Sequence, residues 1–259
     1  MKRRDFLAAS AAFGLAPMAM AQAQGINDGQ RDFYELRMYH IDTEKQRRGF
    51  EKFAAEAAVP ALNRIGIDPV GVFYPQKDLS PIYVLLRHKT LESVVTLVPR
   101  LAEDGEFLEK GADFLQAPAD DPAYARMESA LLLAFKNMPH IDRPITSPQR
   151  IFQLRIYESP SVMTGQKKIE MFNDGGEMEI FRRVGLHPVF FGERIIGSKM
   201  PNLTYMLSFE SEAQLKANWK KFINDPAWKQ LKSMDEYADK RIICHITNLI
   251  LKPAACSQL

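Results

Sequence analysis

An internal repeat constrains the fold of this chain more than any single motif. Residues 34–39 (Tyr-Glu-Leu-Arg-Met-Tyr) align with residues 152–157 (Phe-Gln-Leu-Arg-Ile-Tyr) at an offset of 118 residues. Over the rest of the repeat the offset stays between 118 and 122, as expected when only loops differ in length. The further matched pairs are Phe53 with Phe172, Arg64 with Arg183, Gly66 with Gly185, Pro69 with Pro188, Asp104 with Asp225, and Phe107 with Trp228. This self-similarity predicts two copies of one structural unit.

Each copy has the hydrophobic pattern of a strand, a helix, two strands, a second helix and a last strand. Strand segments alternate in polarity, and helical segments repeat apolar residues every three or four positions. Pro60 is expected to kink or split the first helix, and Gly66 to end it. The predicted strands are 33–40, 69–75, 81–88 and 127–136, then 150–158, 188–195, 203–209 and 241–252; the predicted helices are 43–65, 90–102, 164–185 and 211–237.

The βαββαβ order is that of a ferredoxin-like unit, so the predicted class is α+β. We place the first repeat at 30–136, a proline-rich linker at 137–149 and the second repeat at 150–252. Three prolines within ten linker residues exclude a continuous helix or a central strand there. Helices cover one face of each sheet, so the other face needs a cover that a tandem partner can supply.

The first residues contain the three parts of a secretory signal. The segment Arg3-Arg4-Asp5-Phe6-Leu7 resembles the twin-arginine export motif. A short apolar stretch follows at 8–16, and small residues at 19–23 offer two cleavage sites, between which the sequence does not choose. We therefore expect residues 1–23 to be a twin-arginine signal peptide, with the twin-arginine translocase as a partner during export. The expected location of the mature protein is the periplasm.

The charge balance excludes some classes of partner. The chain has 34 Lys and Arg against 32 Asp and Glu, and removal of residues 1–21 leaves 31 of each. A mature protein without net charge gives no electrostatic basis for binding nucleic acid. No apolar stretch after the signal reaches the roughly 18 residues of a spanning helix, so we expect no stable membrane span. Homo-oligomer formation stays open.

The sequence has no signature of a metal site or of a common cofactor. The five His residues do not pair at a metal-ligand spacing, and no Cys-x-x-Cys, Walker or Gly-x-Gly-x-x-Gly pattern occurs. We therefore predict no metal and no cofactor. Cys244 and Cys256 are either two free thiols or, in an oxidising compartment, a disulfide.

Several repeated segments resemble the NIPSNAP family. The opening strands 35–39 and 153–157 are similar to that family's first strand, and residues 219–228, which carry a Trp, an Asp-Pro and a second Trp, are similar to its closing helix. The resemblance implies two ferredoxin-like βαββαβ repeats that form an intramolecular dimeric α/β-barrel. The first copy departs from the pattern, because it has Val98 or a neighbouring residue and Phe107 in place of the two Trp, and an insertion at 109–124.

Polar residues on the two opening strands are the candidate ligand contacts. Side chains alternate across a strand. If Leu36 and Met38 face the helices, then Arg37 and Tyr39 face the interior of the barrel, and the same alternation applies to the second copy. The predicted ligand-binding residues are Arg37, Tyr39, Arg155 and Tyr157 on the strands, with Trp219 and Trp228 as pocket walls.

The two arginines have an alternative, structural role. A buried guanidinium needs a partner, and a carboxylate of another strand, such as Glu193 or Glu128, would serve. Glu35 is expected to be a poor partner for Arg37, because Cβ atoms two residues apart on a strand are about 7 Å apart.

Three functions are compatible with these residues. The first is binding of a small organic ligand in the barrel. The second, which the family resemblance implies, is a cofactor-independent monooxygenase-like enzyme. The third is a structural or interaction protein with a filled barrel. A cavity of roughly 300 Å³ or more that contacts Arg37 or Arg155 would favour ligand binding.

Overall fold

The computed structural model describes residues 31–259, so the predicted signal peptide at 1–23 lies outside the described residues. The first repeat contains strands β1 (Phe33–His40), β2 (Val70–Pro75), β3 (Ile82–His88) and β4 (Arg126–Ala134). The second contains β5 (Ile151–Glu158), β6 (His187–Ile196), β7 (Asn202–Phe209) and β8 (His245–Pro253).

The helices of the first repeat are shorter and more numerous than predicted. They are α1 (Glu44–Phe53), α2 (Val59–Arg64), α3 (Leu91–Val95), α4 (Leu97–Ala102), α5 (Gly105–Lys110) and α6 (Ala112–Leu115). A π-helical turn over 54–58 separates α1 from α2, and Pro60 lies in the first turn of α2. The backbone stays helical through this turn, so the first helix continues across it to Arg64, with Pro60 in a turn where its missing amide is tolerated. Gly66, with a φ of 79°, follows it.

The helices of the second repeat are also interrupted. They are α7 (Val162–Asn173), α8 (Glu177–Val184), α9 (Glu212–Asn224), α10 (Pro226–Ser233) and α11 (Asp239–Ile242). The prediction of one helix over 164–185 is wrong, because Gly175 and Gly176 break it and Gly176 has a φ of 87°. The predicted helix 211–237 is divided at Asp225, whose side chain caps α10 ahead of Pro226.

The eight strands described within residues 31–259 form one closed barrel. Its order is β1-β3-β2-β8-β5-β7-β6-β4, and every neighbouring pair is antiparallel. Each repeat contributes four adjacent strands in the ferredoxin-like order. The repeats join where β2 pairs with β8 and β4 pairs with β6, so no sheet edge is left open. This confirms the predicted α+β class and the intramolecular α/β-barrel.

Ion pairs at matched positions support the alignment of the repeats. Arg64 contacts Asp104 at 2.7 Å, and its counterpart Arg183 contacts Asp225 at 2.8 Å. In both repeats the Asp also caps a helix, α5 or α10. The closing helices begin in the same way, with Thr90 and Ser211 as N-caps 121 residues apart. An offset of 121 therefore relates positions 90–108 to positions 211–229.

Apolar side chains from all eight strands fill the interior of the barrel. Tyr34 and Leu36 of β1 are buried there beside Phe152 and Leu154 of β5, and Ile141 of the linker and Leu259 pack against the same cluster. No helical residue belongs to this cluster, because the helices lie outside the barrel. Two further clusters, one in each repeat, pack the helices of that repeat against the outer face of its strands. Among the described residues, no helix combines the length and apolar character needed to cross a membrane.

Candidate functional site

The predicted orientation of the opening strands is wrong. Leu36 belongs to the interior cluster and Met38 packs against it, whereas Tyr39 and Tyr157 belong to the clusters that include helices. Arg37 and Arg155, which share a face with these tyrosines, therefore point toward the helical layers. A barrel strand that is covered by helices is buried on both faces. Apolar residues at every second position therefore do not show which face points into the barrel interior. A ligand site at these residues must lie between sheet and helices.

A cavity occupies that position in the first repeat. Its volume is about 470 Å³, within the range of small-molecule sites. Arg37 and Tyr39 of β1 lie in its wall, and the rest of the wall is largely apolar and comes from β2, β3 and the helices. Three wall residues are exposed, Val98 by 69%, Leu108 by 42% and Leu115 by 41%, so the cavity opens to solvent beside α4, α5 and α6.

A small residue lines the cavity where the second repeat has a large one. Val98 corresponds to Trp219 at the offset of 121. The Trp219 indole packs against Phe181 and Phe222, and the Arg155 guanidinium lies 4.6 Å from its ring centre. In the first repeat no indole covers Arg37, and the corresponding space is part of the cavity. The change from Trp to Val was visible in the sequence, but its consequence depends on which face Arg37 occupies.

The insertion of the first repeat covers the cavity with aromatic rings. Phe114 of α6 stacks on Phe53 with ring centres 4.1 Å apart, and it also contacts Phe50 and Tyr124. Tyr39 packs against Phe50 at 4.9 Å and Tyr124 at 5.3 Å. Sequence reasoning missed Phe114 and Tyr124, because an insertion without a counterpart in the other repeat cannot be placed by alignment.

Arg37 is neutralised by the residue that the sequence analysis rejected. Its Nε and Nη2 atoms donate to the two carboxylate oxygens of Glu35 at 2.7 and 3.0 Å. Two long side chains on the same face of a strand bend toward each other, so the Cβ separation did not prevent the contact. The expected partners are paired elsewhere: Glu128 with His40 and Arg126, and Glu193 with Gln166.

A hydrogen bond from Ser129 and the nearby His88 imidazole also hold the Glu35 carboxylate in its ionised form. Ser129 on β4 donates to Oε1 at 2.7 Å, and Nε2 of the buried His88 lies 3.5 Å from Oε2. Burial by itself would raise the pKa of Glu35, but the interactions with His88, Arg37 and Ser129 outweigh it and lower the pKa to about 2. Burial raises the pKa of Tyr39, and the neighbouring Arg37 offsets part of that change.

The second repeat places its candidate residues in a packed layer. Tyr157 is buried, and its hydroxyl accepts a hydrogen bond from Tyr205 at 3.1 Å. The Trp219 Nε1 donates to Gln153 Oε1 at 2.7 Å, which fixes the indole over Arg155. Trp228 is buried against Phe222, with ring centres 4.4 Å apart. The two Trp residues, which we expected to line a pocket, belong to the core cluster of this repeat or pack against it.

A buried ion pair in the same layer had no signal in the sequence. Lys168 and Glu177 are 1% and 2% exposed, and Nζ lies 2.8 Å from Oε2. The ammonium also approaches the Phe172 ring at 4.6 Å. Burial raises the pKa of Glu177, and Lys168 offsets part of that rise. The N-caps Thr43 and Ser161 are 118 residues apart, so the first repeat has Phe50 at the position of Lys168, and the pair belongs to the second repeat alone.

Comparison by sequence supports the predicted family for the second half. Residues 152–258 match the family model described as NIPSNAP. This match spans the second repeat only, and the relationship of the first repeat rests on the internal alignment. Comparison with curated proteins gives no match.

Comparison by structure identifies proteins with the same fold. A proposed monooxygenase from Lactobacillus acidophilus has a TM-score of 0.58 at 8% identity, over 87% of this chain and 95% of the other. A proposed monooxygenase from Fusobacterium nucleatum has a TM-score of 0.57 at 7% identity, over 87% and 94%. An anthrone oxidase-like protein has a TM-score of 0.52 at 8% identity, over 88% and 95%. At these identities the similarity concerns the fold alone.

Proposed function

We propose that this protein binds a small, mostly apolar organic molecule between the sheet and the helices of its first repeat. The observation that carries the proposal is the cavity of about 470 Å³, which contacts Arg37 and opens to solvent beside Val98. Sites for small molecules are typically apolar concavities with a few polar groups that orient the ligand. Here the polar groups at the strand wall are Arg37 and Tyr39, and Gln116 and Tyr124 add polar atoms to an otherwise largely apolar space.

The ion pair of Arg37 indicates which polar group the ligand carries. Glu35 engages two of the guanidinium nitrogens and cancels the positive charge. A second carboxylate brought to this point would be attracted only weakly and would lose its hydration. A neutral acceptor, such as a ketone oxygen, costs less to desolvate and still accepts a hydrogen bond. We therefore assign to the cavity a neutral ligand with a carbonyl or similar acceptor.

Binding is favoured over base-catalysed oxygenation at this site. Abstraction of a proton needs a base whose pKa is near the working pH. Glu35, with a pKa of about 2, is too weak a base, and its oxygens are occupied. The raised pKa of Tyr39 keeps its phenol protonated. Structural relatives named as proposed monooxygenases and as anthrone oxidase-like share the fold, and an oxygenase activity of this chain stays the second candidate.

The test is binding of 9-fluorenone, a planar neutral ketone, measured by isothermal titration calorimetry. Val98→Trp places in the cavity the ring that Trp219 places in the second repeat, and we expect it to weaken binding by about tenfold or more. Val95→Trp is the matched control: Val95 is 76% exposed on α3 and lies outside the cavity wall, so binding should be unchanged. Equal affinity of the wild type and Val98→Trp would overturn the proposal.

Export to the periplasm by the twin-arginine route stays a proposal that rests on the sequence of residues 1–23. The barrel needs both repeats to close, and a route that carries already folded proteins suits such a chain.

A further inference from the structure

The second repeat contains a half-buried cation, Arg155, that no carboxylate of the described residues neutralises. Lys168 and Glu177 pair with each other. The Arg155 guanidinium lies 4.6 Å from the Trp219 ring centre and 5.2 Å from that of Tyr157. Within residues 31–259 no carboxylate lies within 4 Å of it, and its buried Nε has no hydrogen-bond partner. Arg155, Lys168 and Glu177 together therefore carry a net positive charge in a region of low dielectric constant.

The first repeat has the carboxylate counter-charge that the second repeat lacks. Its arginine, Arg37, has Glu35 two residues earlier on the same strand, and the two form a bidentate pair. The second repeat has Gln153 at the position of Glu35, and the Gln153 amide binds Trp219 and Asn248 instead of Arg155. A buried guanidinium without a counter-charge is costly, and an anion that binds there recovers that cost.

One flank of Arg155 is open toward strand β8. Asn248 lies directly opposite Arg155 in the β5–β8 register and is exposed. Its Oδ1 accepts from Gln153 Nε2 at 2.8 Å, so its own amide nitrogen is left as a donor on the same face as the guanidinium. Arg155 is itself partly exposed. An anion at this flank would meet a charged donor and a neutral donor beside the half-buried Trp219 ring.

We propose that the second repeat has a separate site, at Arg155 and Asn248, for a carboxylate attached to a flat apolar group. A planar guanidinium pairs with a carboxylate through two parallel hydrogen bonds. Trp219 beside it offers an aromatic surface to the body of the ligand. This site is independent of the neutral-ligand cavity of the first repeat, and the two differ because one strand has Glu35 and the other has Gln153.

Benzoate is the probe, and its neutral analogue benzamide is the matched ligand control. The chain has two Trp residues, so the variant Trp228→Phe leaves Trp219 as its only indole reporter. Titration of Trp219 fluorescence should show saturable benzoate binding, with benzamide weaker by about tenfold or more. Equal affinity for the two probes, or the absence of a saturable benzoate response, would overturn the proposal.

Substitutions in the same background assign the response to Arg155. Gln153→Glu supplies the carboxylate that the first repeat has, keeps an acceptor for Trp219, and should weaken benzoate binding by about tenfold or more. Arg155→Met should have the same effect, and if it fails to fold, Gln153→Glu decides. Lys216→Gln, which removes an exposed cation from α9, should leave binding unchanged. Wild-type benzoate affinity in Gln153→Glu would refute the site.

Discussion

The substitution Glu35→Gln tests the charge arrangement under the cavity. The pKa of Glu35 is lowered from 4.5 to about 2 in the folded protein. At about 1.4 kcal/mol for each pKa unit, ionised Glu35 contributes about 3 kcal/mol to the free energy of unfolding at neutral pH. Because the folded pKa is depressed, this contribution is complete above the unfolded pKa and is lost as the pH falls toward 2. About 2 kcal/mol of it is lost between pH 7 and pH 3.

Urea unfolding at pH 7, 5, 4 and 3 measures this difference. At pH 7, Glu35→Gln should be less stable than the wild type by about 3 kcal/mol, since Arg37 is left buried without its partner. As the pH falls to 3, the wild type should lose about 2 kcal/mol more than the variant, so the two curves converge. Glu51→Gln is the control. It breaks a surface pair with Arg47, and it should stay within about 1 kcal/mol of the wild type at every pH.

Parallel curves of stability against pH for the wild type and Glu35→Gln would contradict this expectation. They would show that Glu35 titrates alike in the folded and unfolded chains, and that the pair with Arg37 does not hold the carboxylate ionised. The assignment of a neutral ligand to the cavity would then lose its basis.

Three further predictions concern the other repeat, the barrel and export. Trp219→Val should lower the free energy of unfolding by about 2–3 kcal/mol and open a space beside Arg155, seen as added cavity volume in a crystal structure; an unchanged stability would show that the indole does not fill that layer. Residues 24–140 expressed alone should aggregate or dimerise, because β2 and β4 lose their partners β8 and β6 and the apolar interior is uncovered; size-exclusion chromatography that shows a stable monomer would contradict the intramolecular barrel. Replacement of Arg3 and Arg4 by Lys should keep the precursor in the cytoplasm in a cell-fractionation assay, and normal export would refute the signal assignment.

The fold could be predicted because the internal repeat matched the strands and helices of one copy with those of the other, whatever the local propensity of each segment. Matched residues such as Arg64 and Arg183 predicted two copies of one unit. In the structure each of these arginines forms an equivalent ion pair with an Asp of its own repeat. The interruptions of helices at Gly176 and Asp225 were missed, because helical periodicity continues across a break that only backbone conformation or capping reveals.

The site was predicted less well, for a physical reason. The opening strands are buried on both faces, by the barrel interior and by the helices, so alternation grouped Arg37 with Tyr39 correctly and placed them on the wrong side. Whether Trp219 lines a pocket or fills it depends on packing around Arg155, which residue spacing does not encode. Glu35 was rejected on Cβ distance, although its side chain is long enough to reach Arg37.

A crystal structure of the protein with 9-fluorenone tests directly whether the first repeat binds a neutral ligand between its sheet and its helices. We expect ligand density in the cavity of the first repeat, between Val98 and Arg37, with the ketone oxygen within about 3.2 Å of the guanidinium or of the Tyr39 hydroxyl. Ligand density in the barrel interior or beside Arg155, with the cavity of the first repeat empty or collapsed, would contradict it.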